Sequence, residues 1–105
     1  MKVESEYKGN LLELSKPVFK MAWDEAIQQE WPDGWRIPTR AELVTMFDEA
    51  TNSGHKFTDT SFVWSASSYA PGPASAWGVY FGGGSSNAFN KTGGYAVRLV
   101  REVRK

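Results

Sequence analysis

Residues 34–43 read Gly34-Trp35-Arg36-Ile37-Pro38-Thr39-Arg40-Ala41-Glu42-Leu43, and this stretch fixes where the chain turns into its main helix. Pro38 keeps the residue before it, Ile37, out of helical geometry. Thr39 with Glu42 three positions on forms a capping box, in which each side chain covers a backbone donor that the first helical turn would leave without a partner. A helix therefore begins at Thr39. Leu43, Met46, Phe47 and Ala50 follow as its apolar stripe, and Asn52-Ser53-Gly54 stops it. Trp35 reads as a core plug, whose truncation to alanine would cost about 3–5 kcal/mol. Arg36 reads as the partner of a carboxylate or of backbone carbonyls. The whole stretch reads as a latch, which moves the search for a binding surface downstream.

Working outward, Trp31-Pro32-Asp33-Gly34 has turn chemistry, with proline pre-setting one dihedral and glycine relieving another. Upstream of it Phe19, Met21, Ala22, Trp23, Ala26, Ile27 and Trp31 recur at helical spacing. That pattern predicts a helix from near Ala22 that stops before Pro32, with Asp24 and Glu25 in its first turn, where the dipole favours acids. Residues 3–14 alternate loosely around Lys8-Gly9-Asn10 and suit a hairpin. After the second helix the period changes to two. Strands are expected over residues 61–69, around Trp77, Val79 and Phe81 on one face with Gly78 and Tyr80 on the other, over 87–91, and over 95–103. The connections are Ala70-Pro71-Gly72-Pro73, Gly82-Gly83-Gly84-Ser85-Ser86 and Thr92-Gly93-Gly94. Two helices followed by an antiparallel meander make a single α+β domain over residues 1–105.

Composition narrows the function classes. Twelve basic and twelve acidic residues leave no net charge, which argues against a protein built to coat nucleic acid. With no cysteine and one histidine, disulfides, thiolate nucleophiles and multi-histidine metal sites are excluded. No cofactor is expected. The N-terminus is charged and lacks the apolar core of a signal peptide, and no apolar run approaches the ~18 residues of a membrane span. The expected setting is cytoplasmic or virion-associated.

The motifs of common chemistries are weak here. The run Gly82-Gly83-Gly84-Ser85-Ser86 lacks the lysine and the following helix of a phosphate loop. No serine sits in a Gly-x-Ser-x-Gly elbow. His55 lies in a polar loop, and an activity using it would need a nucleophile brought to it in space. Asp24 and Glu25 are helix neighbours that face different ways. Arg98, Arg101, Arg104 and Lys105 read as ion-paired residues plus a basic tail. By contrast, residues 64–95 are rich in Trp, Tyr, Ser, Asn and Gly, the residues that combine rigid contact area with adaptable hydrogen bonding. Trp64, Trp77, Val79 and Phe81 are expected in the core; the loop-borne polar and aromatic residues are expected to make contacts.

Five segments together resemble the Lcl C-terminal domain family of bacterial and phage proteins. Residues 34–43 resemble its GWRLPTxxEL motif, and Met21-Ala22-Trp23-Asp24-Glu25-Ala26 its MTWxEA helix start. Trp64-Ser65-Ala66-Ser67 is similar to its WSSS/T strand, Ala76-Trp77-Gly78-Val79-Tyr80-Phe81 to AWxVxFxxG, and Val97-Arg98-Leu99-Val100-Arg101 to its closing VRxVR. The resemblance implies a C-type-lectin-like fold with two helices on a twisted antiparallel sheet, related at fold level to formylglycine-generating enzymes and to the variable proteins of diversity-generating retroelements. It implies ligand recognition by loops and an exposed sheet face. The cysteines of formylglycine-generating chemistry are absent, as are the Glu-Pro-Asn, Gln-Pro-Asp and Trp-Asn-Asp triplets of calcium-dependent sugar binding.

The expectation is a non-enzymatic recognition domain, a phage or prophage accessory protein that binds a host protein, as an inhibitor in one version, through loops of its second half. The alternative is a glycan-binding module of a virion or cell surface; a small hydrolase using His55 ranks below both, and a homo-oligomer stays open. Ser67, Ser68, Tyr69, Tyr80, Ser86, Asn87, Asn90, Lys91 and Tyr95 are the expected ligand contacts. Trp23, Trp35, Arg36, Thr39, Glu42, Trp64 and Trp77 are the expected structural residues.

Overall fold

The computed structural model describes residues 3–7, 10–18, 20–57 and 61–103. Strands β1 (Val3–Tyr7) and β2 (Asn10–Leu14) form the expected antiparallel hairpin; Lys8 and Gly9 of its turn lie outside the described residues. Then come β3 (Lys20–Met21), α1 (Trp23–Gln28), α2 (Arg40–Asn52), β4 (Phe62–Ser68), β5 (Ser75–Tyr80), β6 (Ser86–Asn90), β7 (Tyr95–Ala96) and β8 (Val100–Glu102). The chain is α+β, with two helices as expected.

Its strands form two sheets where one meander was expected. One has the order β1-β2-β8 and the other β3-β7-β4-β5-β6. Only β4-β5-β6 is a meander. β7 returns to the far side of β4 and lies parallel to it, with Val63 opposite Ala96. The last strand, expected unbroken over 95–103, splits because the chain changes sheets there. Residues 97–99 leave the ladder and bond instead to the segment after β2: Val18 N–H donates to Val97 O, and Ser15 N–H donates to Leu99 O, both at 2.8 Å. Ala96, Val97, Arg98, Leu99 and Val100 are all buried.

The five-stranded sheet separates two apolar clusters, as the period-two alternation of its strands requires. Val63 and Val79 face α2 and join Leu12, Leu14, Leu43, Met46, Phe47, Phe81, Ala96 and Val100. Trp64, one residue on from Val63, and Ala76, three residues before Val79, face the α1 side and join Met21, Ala26, Ile37, Val97 and Leu99. Trp64 is fully enclosed, and its indole N–H donates to Met21 O at 2.9 Å.

α1 is shorter than its apolar pattern. It has no side-chain N-cap, and Gln29 is already extended. Trp31 takes its place in the pattern from outside the helix: its indole N–H donates to Ala26 O at 3.2 Å, covering a carbonyl the helix end leaves open. α2 is built as the sequence reads. Thr39 Oγ1 accepts from Glu42 N–H at 3.2 Å, and Glu42 Oε1 accepts from Thr39 N–H at 2.8 Å. Trp35 is not the enclosed plug expected. It is half-buried at the edge of the Trp64 cluster, with the Arg101 guanidinium 4.4 Å from its ring centre. A residue on the rim loses less on truncation than an enclosed one, so the 3–5 kcal/mol expectation is too large. Among the described residues no helix is long and apolar enough to cross a membrane.

Candidate functional site: a groove between the second helix and the central hairpin

Arg36 and Glu42 anchor the start of α2. The guanidinium donates through both terminal nitrogens to the two carboxylate oxygens, each at 2.7 Å. Burial pushes the Glu42 carboxyl up, but the Arg36 fork and the Thr39 hydrogen bonds outweigh it and hold the group below the ordinary carboxylate range. The same fork raises Arg36 against the lowering effect of its own burial. Arg36 also exchanges both backbone hydrogen bonds with Val100 at 2.9 Å, tying the segment to the start of β8.

The next residues clamp α2 to β4. Pro38 O accepts from Ala66 N–H at 2.7 Å, and Ser67 Oγ accepts from Arg40 N–H at 3.0 Å. The end of β4 reaches them through a bulge. Between the pairs Trp64↔Gly78 and Ser68↔Ala76, β4 advances four residues while β5 retreats two. The Ser65 hydroxyl sits inside the bulge, donating to Trp77 O at 2.7 Å and accepting from Ser67 N–H at 3.1 Å. Such an insertion bends its strand and re-aims side chains.

The result is an open groove of about 510 Å3, with Thr39, Arg40, Ala41, Val44 and Thr45 of the helix side facing Ser67, Ser68 and Trp77 of the hairpin. Trp77 is half-buried here, which corrects the expectation that it belongs to the core. Its strand face is the one α2 covers, but α2 begins beside it and leaves the indole at the flank. The Arg40 guanidinium lies over the indole, 4.0 Å from its centroid, and Tyr69 meets the same ring edge-on at 5.1 Å. Among the described residues no acidic side chain lines the groove.

The expected contact residues do not form one site. Ser67 and Ser68 line this groove, and Tyr69 reaches it only through its edge-on contact with Trp77. Tyr80 and Tyr95 lie on the opposite face of the sheet, half-buried around Phe62 and Phe89. There Phe62 stands 4.9 Å from Tyr80 and 4.5 Å from Phe89, and Phe89 stands 4.7 Å from Tyr95. Asn87 is exposed and shares that strand face with Phe89. Ser86 is half-buried opposite Val79. Asn90 shapes the following turn, its Oδ1 accepting from Thr92 N–H and Oγ1. The Lys91 ammonium lies 4.4 Å from the centre of the Trp23 ring, and the Trp23 indole donates to Ser65 O at 2.8 Å.

Elsewhere, Arg101 pairs with Glu13 at 3.0 Å. Arg98 is buried, donating to Ser15 O at 3.1 Å and lying 4.7 Å from the Phe81 ring centre. The His55 ring packs edge-on against Phe57 at 4.6 Å; among the described residues it bonds to no serine hydroxyl or carboxylate. Among them, too, no group of three or more His, Cys, Asp or Glu side chains could hold a metal ion.

Sequence reasoning missed the helix side of the groove. Ala41, Val44 and Thr45 repeat at spacings of three and four, a second helix stripe beside the buried one. Small and half-apolar residues there are the sign of a flank that faces a gap.

These features define a small α+β domain with an open, cation-bearing groove beside a capped helix. Residues 14–101 match the Lcl C-terminal domain family, and the chain belongs to it. No curated protein matches the chain.

Proposed function

We propose that the chain is a non-enzymatic recognition domain that binds a protein partner in the groove between α2 and the β4–β5 hairpin. The observation that carries this reading is the meeting of Trp77, Tyr69, Ser67 and Ser68 with Arg40 around one open depression. The depression is within the size range of ligand sites, and it combines a rigid aromatic with small hydroxyls and one cation, a mixture suited to contact rather than to turnover.

A second reading, glycan binding, draws on the opposite sheet face, where half-exposed Tyr80 and Tyr95 lie with Asn87; tyrosine faces can stack on sugar rings. One experiment addresses both. The purified chain is panned against a peptide library and applied to a glycan array, alongside Trp77→Ala and Tyr95→Ala variants whose folding is checked by thermal melting. Peptide binding lost in folded Trp77→Ala supports the groove. Glycan binding lost in Tyr95→Ala alone supports the second reading. Binding to neither probe set overturns both.

A further inference from the structure

We infer that the groove reads a carboxylate on its ligand, an Asp or Glu side chain of a peptide segment, through the Arg40 guanidinium held over Trp77. This rests on the groove being the recognition site. The first support is charge. Arg36 is forked onto Glu42 and Arg101 is bonded to Glu13, whereas Arg40 has no carboxylate within ion-pair distance among the described residues. A guanidinium presents a planar fork of donors that matches a carboxylate, and this one projects beside a depression that contains no acid of its own.

The second support is pre-organisation. Arg40 is the first residue of α2, and its backbone N–H is fixed to Ser67 Oγ. Its guanidinium lies 4.0 Å from the Trp77 centroid, so less side-chain freedom is lost when a ligand arrives. The same cation–ring contact argues against a neutral sugar. A pyranose needs a bare indole face, and this face of Trp77 is covered by the guanidinium. The hydroxyls of Thr45 and Ser68 and the methyls of Ala41 and Val44 offer a peptide backbone and its neighbouring side chains both polar and apolar contact.

The test is panning of a random-peptide phage library against the purified chain, Arg40→Gln, Arg40→Lys and Ser68→Trp, the last of which fills the groove at an exposed position. Melting curves confirm that each variant is folded. The expected result is Asp or Glu enrichment in the wild-type pool that disappears in the Arg40→Gln pool. A selected peptide should then lose on the order of tenfold to a hundredfold in affinity for Arg40→Gln, as loss of a charge-assisted pair implies. Arg40→Lys should lose less, and changing the peptide's acid to its amide should add nothing further on Arg40→Gln. Peptides blocked by Ser68→Trp but showing no acid enrichment, or enrichment that survives Arg40→Gln, overturn the carboxylate assignment while the groove stands. Selection that Ser68→Trp does not disturb overturns the groove itself. Arg40-dependent capture of uronate-bearing glycans without any peptide overturns the peptide assignment.

Discussion

Replacing Glu42 tests the anchor of α2 most directly, because one carboxylate serves two partners. Oε1 accepts from Arg36 Nη1 at 2.7 Å and from Thr39 N–H at 2.8 Å, and Oε2 accepts from Arg36 Nη2 at 2.7 Å. The Glu42 side chain is 8% exposed and that of Arg36 45%. In Glu42→Ala the reciprocal half of the capping box is lost, a loss of about 1 kcal/mol. The guanidinium loses its fork but turns into water, so screening limits that term to about 1 kcal/mol as well. The expected destabilisation is about 2 kcal/mol at neutral pH, read from urea unfolding followed by tryptophan fluorescence. In Glu42→Gln an amide oxygen can still accept from Thr39, so about half of that loss should remain.

The pH dependence follows in sign. Glu42 is more acidic folded than unfolded, since the fork and the Thr39 bonds outweigh burial. As pH falls, the unfolded chain takes up the proton first. The stabilisation is complete above the ordinary glutamate range and is lost as pH drops through the depressed folded value. The stability gap between wild type and Glu42→Gln should therefore be flat from about pH 8 to about pH 6 and close below about pH 4. A gap under about 0.5 kcal/mol at neutral pH, or one that persists unchanged in acid, would refute the anchoring argument. A double-mutant cycle with Arg36→Ala separates the fork from the cap; zero coupling would assign all the loss to the cap.

Trp64→Ala, which empties an enclosed site and strands Met21 O, should cost about 3–5 kcal/mol. Half-buried Trp35→Ala should cost about 2 kcal/mol, since part of its surface already faces water; equal losses in urea melts would contradict the placement of Trp35 on the rim. Gly34 and Gly84 both have positive φ, 80° and 84°, but a Cβ on Gly34 meets open space while one on Gly84 would lie 2.7 Å from the Phe47 ring. Gly34→Ala should lose about 1 kcal/mol and Gly84→Ala at least about 1 kcal/mol more, measured by thermal unfolding; the reverse order would count against the Phe47 packing. Ser65→Ala removes the hydroxyl that bridges the β4 bulge and should cost about 1 kcal/mol, with amide exchange quickening at Ser67.

What the sequence disclosed depended on how far apart the cooperating residues lie. The capping box was legible because Thr39 and Glu42 are neighbours on one helical turn, and each hydrogen bond is dictated by residue type. The hairpin of β1 and β2 was legible for the same reason. The fate of residues 95–103 was not, because a run of branched residues satisfies one strand or two equally well. Only the segment after β2, far away in sequence, supplies the partners that break it. Trp64 and Trp77 both sit in strands and look alike by pattern. One is enclosed and the other is not, since burial depends on what lies over each face, and α2 starts too late to cover Trp77. The bulge had no local signal beyond a run of serines. Without it the positions of Ser67 and Ser68 relative to the helix could not be deduced, and the contact residues scattered to both faces of the sheet.

The division between a latch and a site dissolves at residues 34–43. Arg36 ties the segment to β8, Pro38 and Arg40 tie it to the end of β4, and Thr39 with Glu42 fixes the direction in which the helix leaves. Those same bonds set the spacing between the helix and the hairpin, and Thr39, Arg40 and Ala41 then serve as one wall of the groove. A wall held by backbone hydrogen bonds on one side and a bulged strand braced by Ser65 on the other has little freedom to adjust to a ligand. On the proposed reading, specificity in such a groove comes from the few side chains that project into it, and of its lining residues Arg40 on Trp77 is the one that carries charge. The stretch that holds the fold together is therefore also what holds that charge in place.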